Sequence, residues 1–416
     1  MNTLSTDRVV VPFNVEQIRK DFPILSREIN GFPLVYLDNA ASCQKPNQVL
    51  ERINHYYQNV HANVHRGVHS LSQEATELFE QSRRTIASFI GAAHDSEIIF
   101  TRGTTESINL VAYSFGMSQL KKGDEIILSG LEHHSNIVPW QIVCGMKEAN
   151  IKVIPVLPDG TIDLDWFRKN INTKTKLVSV AHVSNALGTI NPVKEIISIA
   201  HQHNVPVMLD GAQAAPHLDL NVQELDADFY AFSSHKMLGP TGLGVLYGKS
   251  SWLNILPPWQ GGGEMIEEVK WSGTTYNKIP FKFEAGTPDI AGAIGLAAAC
   301  DYMNALDKHA LHQHEQQLLT RCTTAMENIP GLITIGKAKE KTPVYSFIVD
   351  KLHPYDIGTI LDQQGIAVRT GHHCTQPLMN QFKIPGTVRA SFAFYNTLEE
   401  VDRLVAATQK AVKLLS

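Results

Sequence analysis

Seven short, nearly continuous apolar runs alternate with helical stretches between residues 97 and 247. The runs are EIIFT, DEIILS, KVIPVL, KLVSVAHV, VPVMLD, FYAFS and GVLYG, and stretches such as ESINLVAYSFG and PVKEIISIAHQHN stand between them. Strands that are buried on both faces have this apolar character. The alternation therefore predicts an α/β fold with a mostly parallel central sheet covered by helices. Ligands bind beyond the carboxyl ends of the strands in such sheets, so the residues after each run are the candidates for function.

The rest of the chain departs from this alternation and indicates a second domain. A passage rich in glycine and proline occupies residues 257–289, and long irregular passages in compact proteins are usually functional or linkers. Residues 290–328 have a helical pattern. The tail adds the strand-like VYSFIVD, GIAVRTGHHC and TVRASFAFYN before the amphipathic TLEEVDRLVAATQKAVKLL. We predict a large domain at 30–296 and a smaller α/β domain formed by residues 1–29 and 297–416.

The composition argues against several classes of function. A net charge of −5 leaves no basic surplus for a nucleic-acid partner. No apolar run approaches the roughly 18 residues that a membrane helix needs, and the first residues lack the pattern of a secretory signal. The five cysteines are scattered and contain no CxxC pair, so we expect neither a disulfide framework nor a bound metal. We therefore predict a cytoplasmic protein without a nucleic-acid or membrane partner.

Two of the predicted strands end in polar residues that suit a ligand. RGTTES follows EIIFT and opens a helix, where Thr104 and Thr105 can bind an anion such as phosphate or simply cap the helix. GLEHHSN follows DEIILS and places His133 and His134 at a strand end, where they can face a ligand or form a surface turn. Each motif alone has an ordinary structural explanation.

Charged residues follow two later strands. Asp210 ends the run VPVMLD, and a buried carboxylate there needs a partner such as a cationic ring nitrogen, unless it caps the next helix. Lys236 lies in FYAFSSHKMLGPTGLG, between an apolar strand and a glycine-rich turn. Burial disfavours the ammonium form, and a neutral amine can react with a carbonyl group. A lysine that keeps its amine in water is the ordinary alternative. The neighbouring Ser233 and His235 can donate hydrogen bonds to a phosphate.

Together these strand ends predict a pyridoxal phosphate site. A phosphate cradle, an aromatic ring, a carboxylate for a pyridinium nitrogen and an activated lysine are the parts that such a site needs. They follow one another along the chain, each at the end of a predicted strand. We therefore predict that Lys236 holds the cofactor covalently.

Nine motifs distributed over essentially the whole chain resemble one family. They are YLDNAAS, TRGTTESIN, EHHSNIVPW, HVSNALGT, DGAQAA, SSHKMLGPTGLGVLYG, EAGTPD, AVRTGHHC and RASFAFYN. Together they resemble the class V, fold-type I pyridoxal phosphate enzymes, and most closely the cysteine desulfurases of the SufS type, also called group II. The resemblance implies a fold-type I transferase with a smaller C-terminal α/β domain and with pyridoxal 5'-phosphate as its cofactor.

The resemblance also implies roles for the strand-end residues. Lys236 would carry the cofactor and move protons, Asp210 would pair with the pyridine nitrogen, and Gln213 would contact the ring oxygen. His133 would stack on the ring, although the sequence does not rank it above His134. The residues expected to hold the phosphate are Thr104, Thr105, Ser233 and His235.

A further group of residues is implied to serve the substrate and a second subunit. Thr287 in EAGTPD would reach the phosphate of the neighbouring subunit, which makes a homodimer part of the site. Asn185, Arg369 and Arg389 would orient the substrate carboxylate and nearby cofactor groups, because the planar fork of arginine binds a carboxylate through two hydrogen bonds. His65 and Arg66 are the remaining residues expected to bind substrate.

Cys374 in RTGHHCTQP matches the family's persulfide cysteine. An inert buried thiol is the ordinary alternative, but the polar neighbours His372, His373 and Thr375 favour a reactive thiolate. The loop is as compact as in the SufS type, whereas the CsdA-type and group I enzymes carry insertions or different residues there. Thr375 departs from the commoner alanine, and we expect no loss of chemistry from it. We assign the other four cysteines to packing.

The implied activity is conversion of L-cysteine to L-alanine, with transfer of sulfur to Cys374 as a persulfide for iron–sulfur cluster assembly. Selenocysteine lyase or cysteine sulfinate desulfinase activity is a close alternative, because the leaving group differs little. A non-catalytic sulfur-transfer scaffold is a further alternative, which the presence of both Lys236 and Cys374 disfavours. Pro377 restricts the cysteine loop, so we expect slow sulfur release that a SufE- or SufU-like acceptor accelerates.

Overall fold

The computed structural model describes residues 13–416. The predictions for the first residues, namely the absence of a signal and the start of the smaller domain, lie outside this range. Within it the helices are α1 (Val15–Arg19), α2 (Asn47–His55), α3 (Ser70–Ile90), α4 (Thr104–Gln119), α5 (Val138–Lys147), α6 (Leu164–Asn170), α7 (Val193–Gln202), α8 (Val222–Leu225), α9 (Ser250–Ile255), α10 (Ile290–Ala305), α11 (Lys308–Met326), α12 (Pro354–Asp362), α13 (Gln376–Phe382) and α14 (Leu398–Leu415). The strands are β1 (Glu28–Ile29), β2 (Phe32–Pro33), β3 (Val35–Tyr36), β4 (Ile98–Thr101), β5 (Glu125–Ser129), β6 (Asn150–Ile154), β7 (Thr175–Ala181), β8 (Val207–Asp210), β9 (Phe229–Ser233), β10 (Gly244–Gly248), β11 (Ile266–Lys270), β12 (Gly273–Tyr276), β13 (Leu332–Ile335), β14 (Val344–Val349), β15 (Ile366–Ala367), β16 (Arg369–Gly371) and β17 (Thr387–Ser391). None of these helices is both long enough and apolar enough to cross a membrane.

The seven predicted strand runs form one seven-stranded sheet, in the order β4-β10-β9-β8-β7-β5-β6. The pairs from β9 through β8, β7 and β5 to β6 are parallel, and β10 runs antiparallel to both β9 and β4. The predicted α/β fold with a mostly parallel central sheet is confirmed.

Both faces of this sheet are buried, which explains why its strands are almost continuously apolar. Along β9, Phe229 and Ala231 pack into one hydrophobic cluster, together with residues of α4 and α5. The alternate residues Tyr230 and Phe232 pack into a second cluster on the opposite face. Successive side chains of a strand point to opposite faces, so a sheet covered on both sides needs apolar residues at every position.

A second, four-stranded sheet has the antiparallel order β13-β14-β17-β16. It packs with α11, α12 and α14 around a separate hydrophobic cluster. The N-terminal strand β3 pairs in parallel with β15, and Val35 and Leu37 belong to this same cluster. Residues 35–37, which the sequence assigns to the large domain, therefore pack against C-terminal elements. The boundary near residue 30 stays a prediction.

The passage at 257–289 contains a regular element that the sequence does not indicate. Strands β11 and β12 pair as an antiparallel hairpin, and Trp271 in the turn between them is fully exposed. The sequences IEEVK and GTTY are exposed at nearly every position. A hairpin without a buried face lacks the alternating apolar pattern that marks a strand.

A buried ion pair joins α3 to the edge strand β4 and to the loop after the hairpin. The Arg83 guanidinium, 1% exposed, donates to both carboxylate oxygens of Glu284 at 2.7 and 3.0 Å. Arg83 also donates to the carbonyl oxygen of Ile98, and Glu284 accepts from the backbone N–H of Phe100. A fully paired and hydrogen-bonded geometry is what allows such charges to be buried.

Candidate active site

A cavity of about 260 Å³ lies at the carboxyl ends of the parallel strands. Ala181, Asp210 and Ser233, the last residues of β7, β8 and β9, contribute to its wall. It brings together most of the site residues predicted from the sequence: Thr104, Thr105, His133, Asn185, Asp210, Gln213, Ser233, His235, Lys236, Arg369, Cys374 and Arg389. The cavity lies beyond the carboxyl ends of the central strands, as is the rule for ligand sites in open α/β sheets. Arg369 and Arg389 from the smaller sheet complete its lining.

Lys236 and Asp210 place a basic and an acidic group in this cavity. Lys236 ends a short helical turn after β9, and burial lowers the pKa of its amine, while the Asp210 carboxylate opposes that shift. Asp210 is 6% exposed. Burial raises the pKa of its carboxyl group, and the Ala212 N–H, 3.0 Å from Oδ1, and Lys236 oppose the rise. Deprotonation of the Lys236 amine therefore costs less free energy than it would on the surface. A nucleophile towards carbonyl groups needs this neutral form.

Hydroxyl groups surround the N-terminus of α4 at one wall of the cavity. The Thr104 backbone N–H and hydroxyl lie 2.8 and 2.7 Å from Ser233 Oγ. The Thr105 and Ser135 hydroxyls lie 2.7 Å apart. A helix N-terminus carries a partial positive charge, and together with these hydroxyls it suits a phosphate.

Gly244, in the glycine-rich segment after Lys236, serves the packing of two backbone segments. A Cβ atom on Gly244 would lie 2.3 Å from the Gly103 backbone. Gly244 therefore allows β10 to pack closely on the turn that opens α4.

The structure separates the two histidines that the sequence leaves unranked. His133 lines the cavity, and its Nδ1 accepts from the Ser135 backbone N–H at 3.1 Å. Burial, followed by the charge of Lys236, lowers the pKa of His133 to about 4. His134 instead faces the cysteine loop, where its Nε2 accepts from the Gln376 N–H at 3.1 Å. His133 is therefore the neutral aromatic ring available to a cofactor.

Cys374 is the exposed cysteine of the described residues, and the other four are buried. Its loop has a left-handed backbone at His373 (φ 52°) and Cys374 (φ 58°), which is costly for residues other than glycine. Asn185 donates to the His373 carbonyl at 2.7 Å, and the His134 N–H donates to the Cys374 carbonyl at 2.8 Å. Hydrogen bonds from two other segments thus hold the thiol at the cavity.

Asp38 binds two arginines of the cavity wall, and the sequence analysis did not identify it. Its carboxylate accepts from Arg369 Nε and NH2 and from Arg389 NH2, at 2.9 to 3.2 Å. Burial lowers the pKa of Arg389 to about 10, although Asp38 acts in the opposite direction. Asp38 stands in the motif YLDNAAS, but more than 300 residues separate it from either arginine, so sequence spacing could not reveal the contact.

Three residues predicted for the site do not line this cavity in a single chain. Thr287 lines a separate cavity of about 320 Å³ with Arg102, and its predicted role involves a neighbouring subunit. His65 is hydrogen-bonded to Glu80 at 2.9 Å, and Arg66 forms an ion pair with Glu264 at 2.8 Å. The structure therefore does not bring His65 or Arg66 to Lys236 within one chain, and their contact with substrate stays a prediction.

The donors and acceptors that line the cavity fit pyridoxal phosphate. The cavity presents a helix N-terminus for the phosphate, a buried carboxylate for the ring nitrogen and a lysine for the aldehyde. Gln213 lies beside them and donates to the Ala40 carbonyl at 2.6 Å. Within residues 13–416, the buried Arg389 Nε has no hydrogen-bond partner, and a buried donor of this kind favours an anionic ligand.

Comparisons with known proteins agree with this chemistry. Residues 35–404 match the family described as aminotransferase class-V. Cysteine desulfurases of Escherichia coli O139:H28 and Shigella sonnei are each 50% identical to this chain over 404 residues, which cover 97% of this chain and 99% of theirs.

Solved structures extend the likeness to the whole fold. The cysteine desulfurase of Thermococcus onnurineus NA1 is 42% identical with a TM-score of 0.93, and the cysteine desulfurase CsdA of Escherichia coli is 40% identical with a TM-score of 0.90. Each match covers 98% of this chain and 100% of the other. The chain thus belongs to the aminotransferase class-V family.

Proposed function

We propose that this protein is a pyridoxal phosphate-dependent cysteine desulfurase of the SufS type. The single observation that carries the proposal is that a partly buried lysine, Lys236, and an exposed cysteine, Cys374, line the same cavity. A class V aminotransferase or lyase needs the lysine but has no use for a thiol beside it. The named relatives, which are cysteine desulfurases at 50% identity, support the same activity.

Bound pyridoxal phosphate would supply an electron-accepting ring conjugated to the substrate amine. The α4 N-terminus with Thr104 and Ser233 would hold its phosphate, Asp210 its ring nitrogen and His133 one face of its ring. Asp210 would keep the ring nitrogen protonated, because a buried carboxylate favours a cation beside it. Lys236, whose amine burial makes less basic, would take the proton from the substrate Cα.

Cys374 performs the sulfur chemistry in this proposal. Its thiolate attacks the sulfur of bound L-cysteine, a new S–S bond forms, and the Cβ–S bond breaks with its electrons passing to the carbon. Protonation of that carbon gives L-alanine, and the sulfur stays on Cys374 as a persulfide. The exchange balances without an external oxidant or reductant. Close placement of thiolate and sulfur makes the attack effectively intramolecular.

We also propose a homodimer, a cytoplasmic location and a role in supplying sulfur to iron–sulfur cluster assembly. Thr287 lies apart from Lys236 in its own chain, which suits its predicted contact with the phosphate of a second subunit. The hydrogen bonds that hold the Cys374 loop, together with Pro377 in the first turn of α13, favour a restrained persulfide. A SufE- or SufU-like protein would then accept the sulfur at the mouth of the cavity.

Mass spectrometry after incubation of the holoenzyme with L-cysteine tests the activity. We expect one added sulfur atom on Cys374 and release of L-alanine. Cys374→Ser should bind the cofactor but lose the adduct and most alanine formation, whereas Cys144→Ser, which alters a buried cysteine away from the cavity, should retain both. Normal alanine production by Cys374→Ser would refute the persulfide role.

Steady-state assays test the acceptor. Alanine production by the wild type should rise when a cognate SufE- or SufU-like protein is added, and rise less with a small thiol reductant. Fast turnover that no acceptor changes would contradict the restrained loop.

A further inference from the structure

Arg369 and Arg389 stand directly opposite one another on the paired strands β16 and β17. Like charges at directly opposed positions of an antiparallel pair repel each other. Arg389 is also 2% exposed, so water does little to screen its charge. This arrangement therefore needs a counter-ion close to both guanidinium groups.

Asp38 supplies that counter-ion from a third segment of the chain. It follows β3 and forms a parallel bridge with Ser391, at the end of the strand that carries Arg389. Its carboxylate engages the Nε and NH2 atoms of Arg369 and the NH2 atom of Arg389. Two cations and one anion leave a net charge of +1 on this wall of the cavity.

The value of +1 counts these three residues alone. Cys374 also lies near enough to interact electrostatically with Arg369 and Arg389, but it is the same in the wild type and in the Asp38 variants. Burial lowers the pKa values of His133 and His235 to about 4 and that of His373 to about 2. These rings are therefore neutral at pH 7. On another wall, burial lowers the pKa of Lys236 and raises that of Asp210, and each group partly opposes the shift of the other.

The arginine wall offers donors to an incoming anion beside Asp38. Arg389 NH1 donates to the Asn185 carbonyl at 2.8 Å, and Arg389 Nε is buried without a partner in the described part of the chain. An α-carboxylate of charge −1 at this position would neutralise the wall. A substrate with a second acidic group would leave an uncompensated negative charge in a partly buried site, which is unfavourable.

We propose that Asp38 is a specificity-determining residue that sets the arginine wall to a net charge of +1 and thereby favours amino acids with one acidic group over those with two. This inference rests on the proposed function, because it takes the substrate to be an amino acid whose carboxylate meets Arg369 and Arg389. Asp38 acts through the arginines and takes no part in the chemical step. Its charge bears on the preference for L-cysteine over L-cysteine sulfinate, which carries a second anionic group.

The test compares Asp38→Asn with the wild-type holoenzyme at pH 7. We expect the ratio of kcat/KM for L-cysteine sulfinate to kcat/KM for L-cysteine to rise about tenfold, because loss of one nearby negative charge favours the dianion. The change should lie mainly in KM. Calorimetric titration should show the same shift, with L-cysteate gaining affinity relative to L-alanine.

Three further variants keep the result interpretable. Asp38→Glu retains the charge and should restore the wild-type ratio. Arg369→Gln removes one positive charge and should move the ratio in the opposite direction, which tests the charge balance even if Asp38→Asn does not fold. Asp402→Asn, which removes an exposed partner of Arg321, should leave the ratio unchanged.

The outcomes separate the inference from the proposed function. If the wild type forms alanine from L-cysteine but Asp38→Asn has the same ratio of kcat/KM values as the wild type, the inference is wrong and the proposed function stands. A wild type that forms no alanine from L-cysteine overturns the proposed function. A fall in kcat for both substrates with an unchanged ratio would make Asp38 merely structural and would also overturn the inference.

Discussion

The backbone N–H of His134 donates to the carbonyl oxygen of Cys374 at a distance of 2.8 Å. The His134 side chain adds a second connection through the Gln376 N–H, and its ring centroid lies 5.6 Å from that of His372. The residue next to the candidate stacking histidine thus holds the loop of the candidate nucleophile. This contact joins the two chemical groups of the proposed reaction.

His134→Ala should loosen the cysteine loop. The Gln376 amide loses its acceptor, so hydrogen exchange across 372–376 should accelerate by about fivefold, equivalent to roughly 1 kcal/mol for one hydrogen bond. Exchange measured by mass spectrometry checks this, with His203→Ala, which alters an exposed histidine after α7, as the control. Unchanged protection across 372–376 would mean that the backbone contact alone holds the loop.

Lys236→Ala should abolish covalent attachment of the cofactor. Borohydride treatment of the wild type should fix a pyridoxyl label on Lys236, because a neutral buried amine reacts with the aldehyde. The variant should carry no label and form no alanine. Lys45→Ala, which changes another partly buried lysine near the site, should still be labelled at Lys236. Substantial turnover by Lys236→Ala would contradict the assignment.

Asp210→Asn should retain some cofactor but lose about 100-fold or more in kcat, the scale of losing one preorganised electrostatic stabiliser. A neutral amide cannot stabilise a protonated ring nitrogen as a carboxylate does. The absorption spectrum of the bound cofactor should shift with the change in ring protonation, which separates this effect from misfolding. If Asp210→Asn had the kcat of the wild type, Asp210 would serve only as a hydrogen-bond acceptor for the Ala212 N–H.

His182 should make the fold sensitive to acid. Burial lowers the pKa of His182 to about 4, and its Nδ1 lies 3.0 Å from the Tyr230 hydroxyl. An unfolded histidine has a pKa of about 6.5, so between these values the unfolded chain binds a proton that the folded protein does not. This contribution to stability is present above pH 6.5 and is lost as the pH falls towards 4, by about 3 kcal/mol in total.

Urea denaturation at several pH values checks this dependence. His182→Gln should reduce the fall in the free energy of unfolding between pH 6.5 and 4, because glutamine does not titrate. His203→Gln, an exposed control, should keep the wild-type slope. Equal slopes for His182→Gln and the wild type would show that His182 is protonated at little cost in the folded state.

Local pattern was sufficient to predict the main sheet and the strand-end residues of the cavity, whereas Asn185, Gln213, Arg369 and Arg389 were expected only from the family resemblance. Buried parallel strands need apolar residues on both faces, so runs such as FYAFS are visible without a structure. The candidate groups Asp210 and Lys236 directly follow such strands, and the geometry of a parallel sheet brings them to one edge. The predicted roles of these residues still await the experiments described above.

Other features depend on contacts that local sequence does not encode. Asp38 meets its arginines only because β3 pairs with β15, at the other end of the chain. The choice between His133 and His134 depends on the short turn after β5, which points one ring to the cavity and the other to the cysteine loop. The β11–β12 hairpin has no buried face, so its sequence has no periodic apolar pattern.

The Arg83–Glu284 pair also occupies backbone groups at the β4 edge of the central sheet. Strand β4 is the outermost strand on its side, and edge strands with free N–H and C=O groups recruit strands from other molecules. Here the Ile98 carbonyl accepts from Arg83 and the Phe100 N–H donates to Glu284, so side chains occupy the bonds that an added strand would make. The ion pair therefore opposes the addition of a strand at the β4 edge of the sheet.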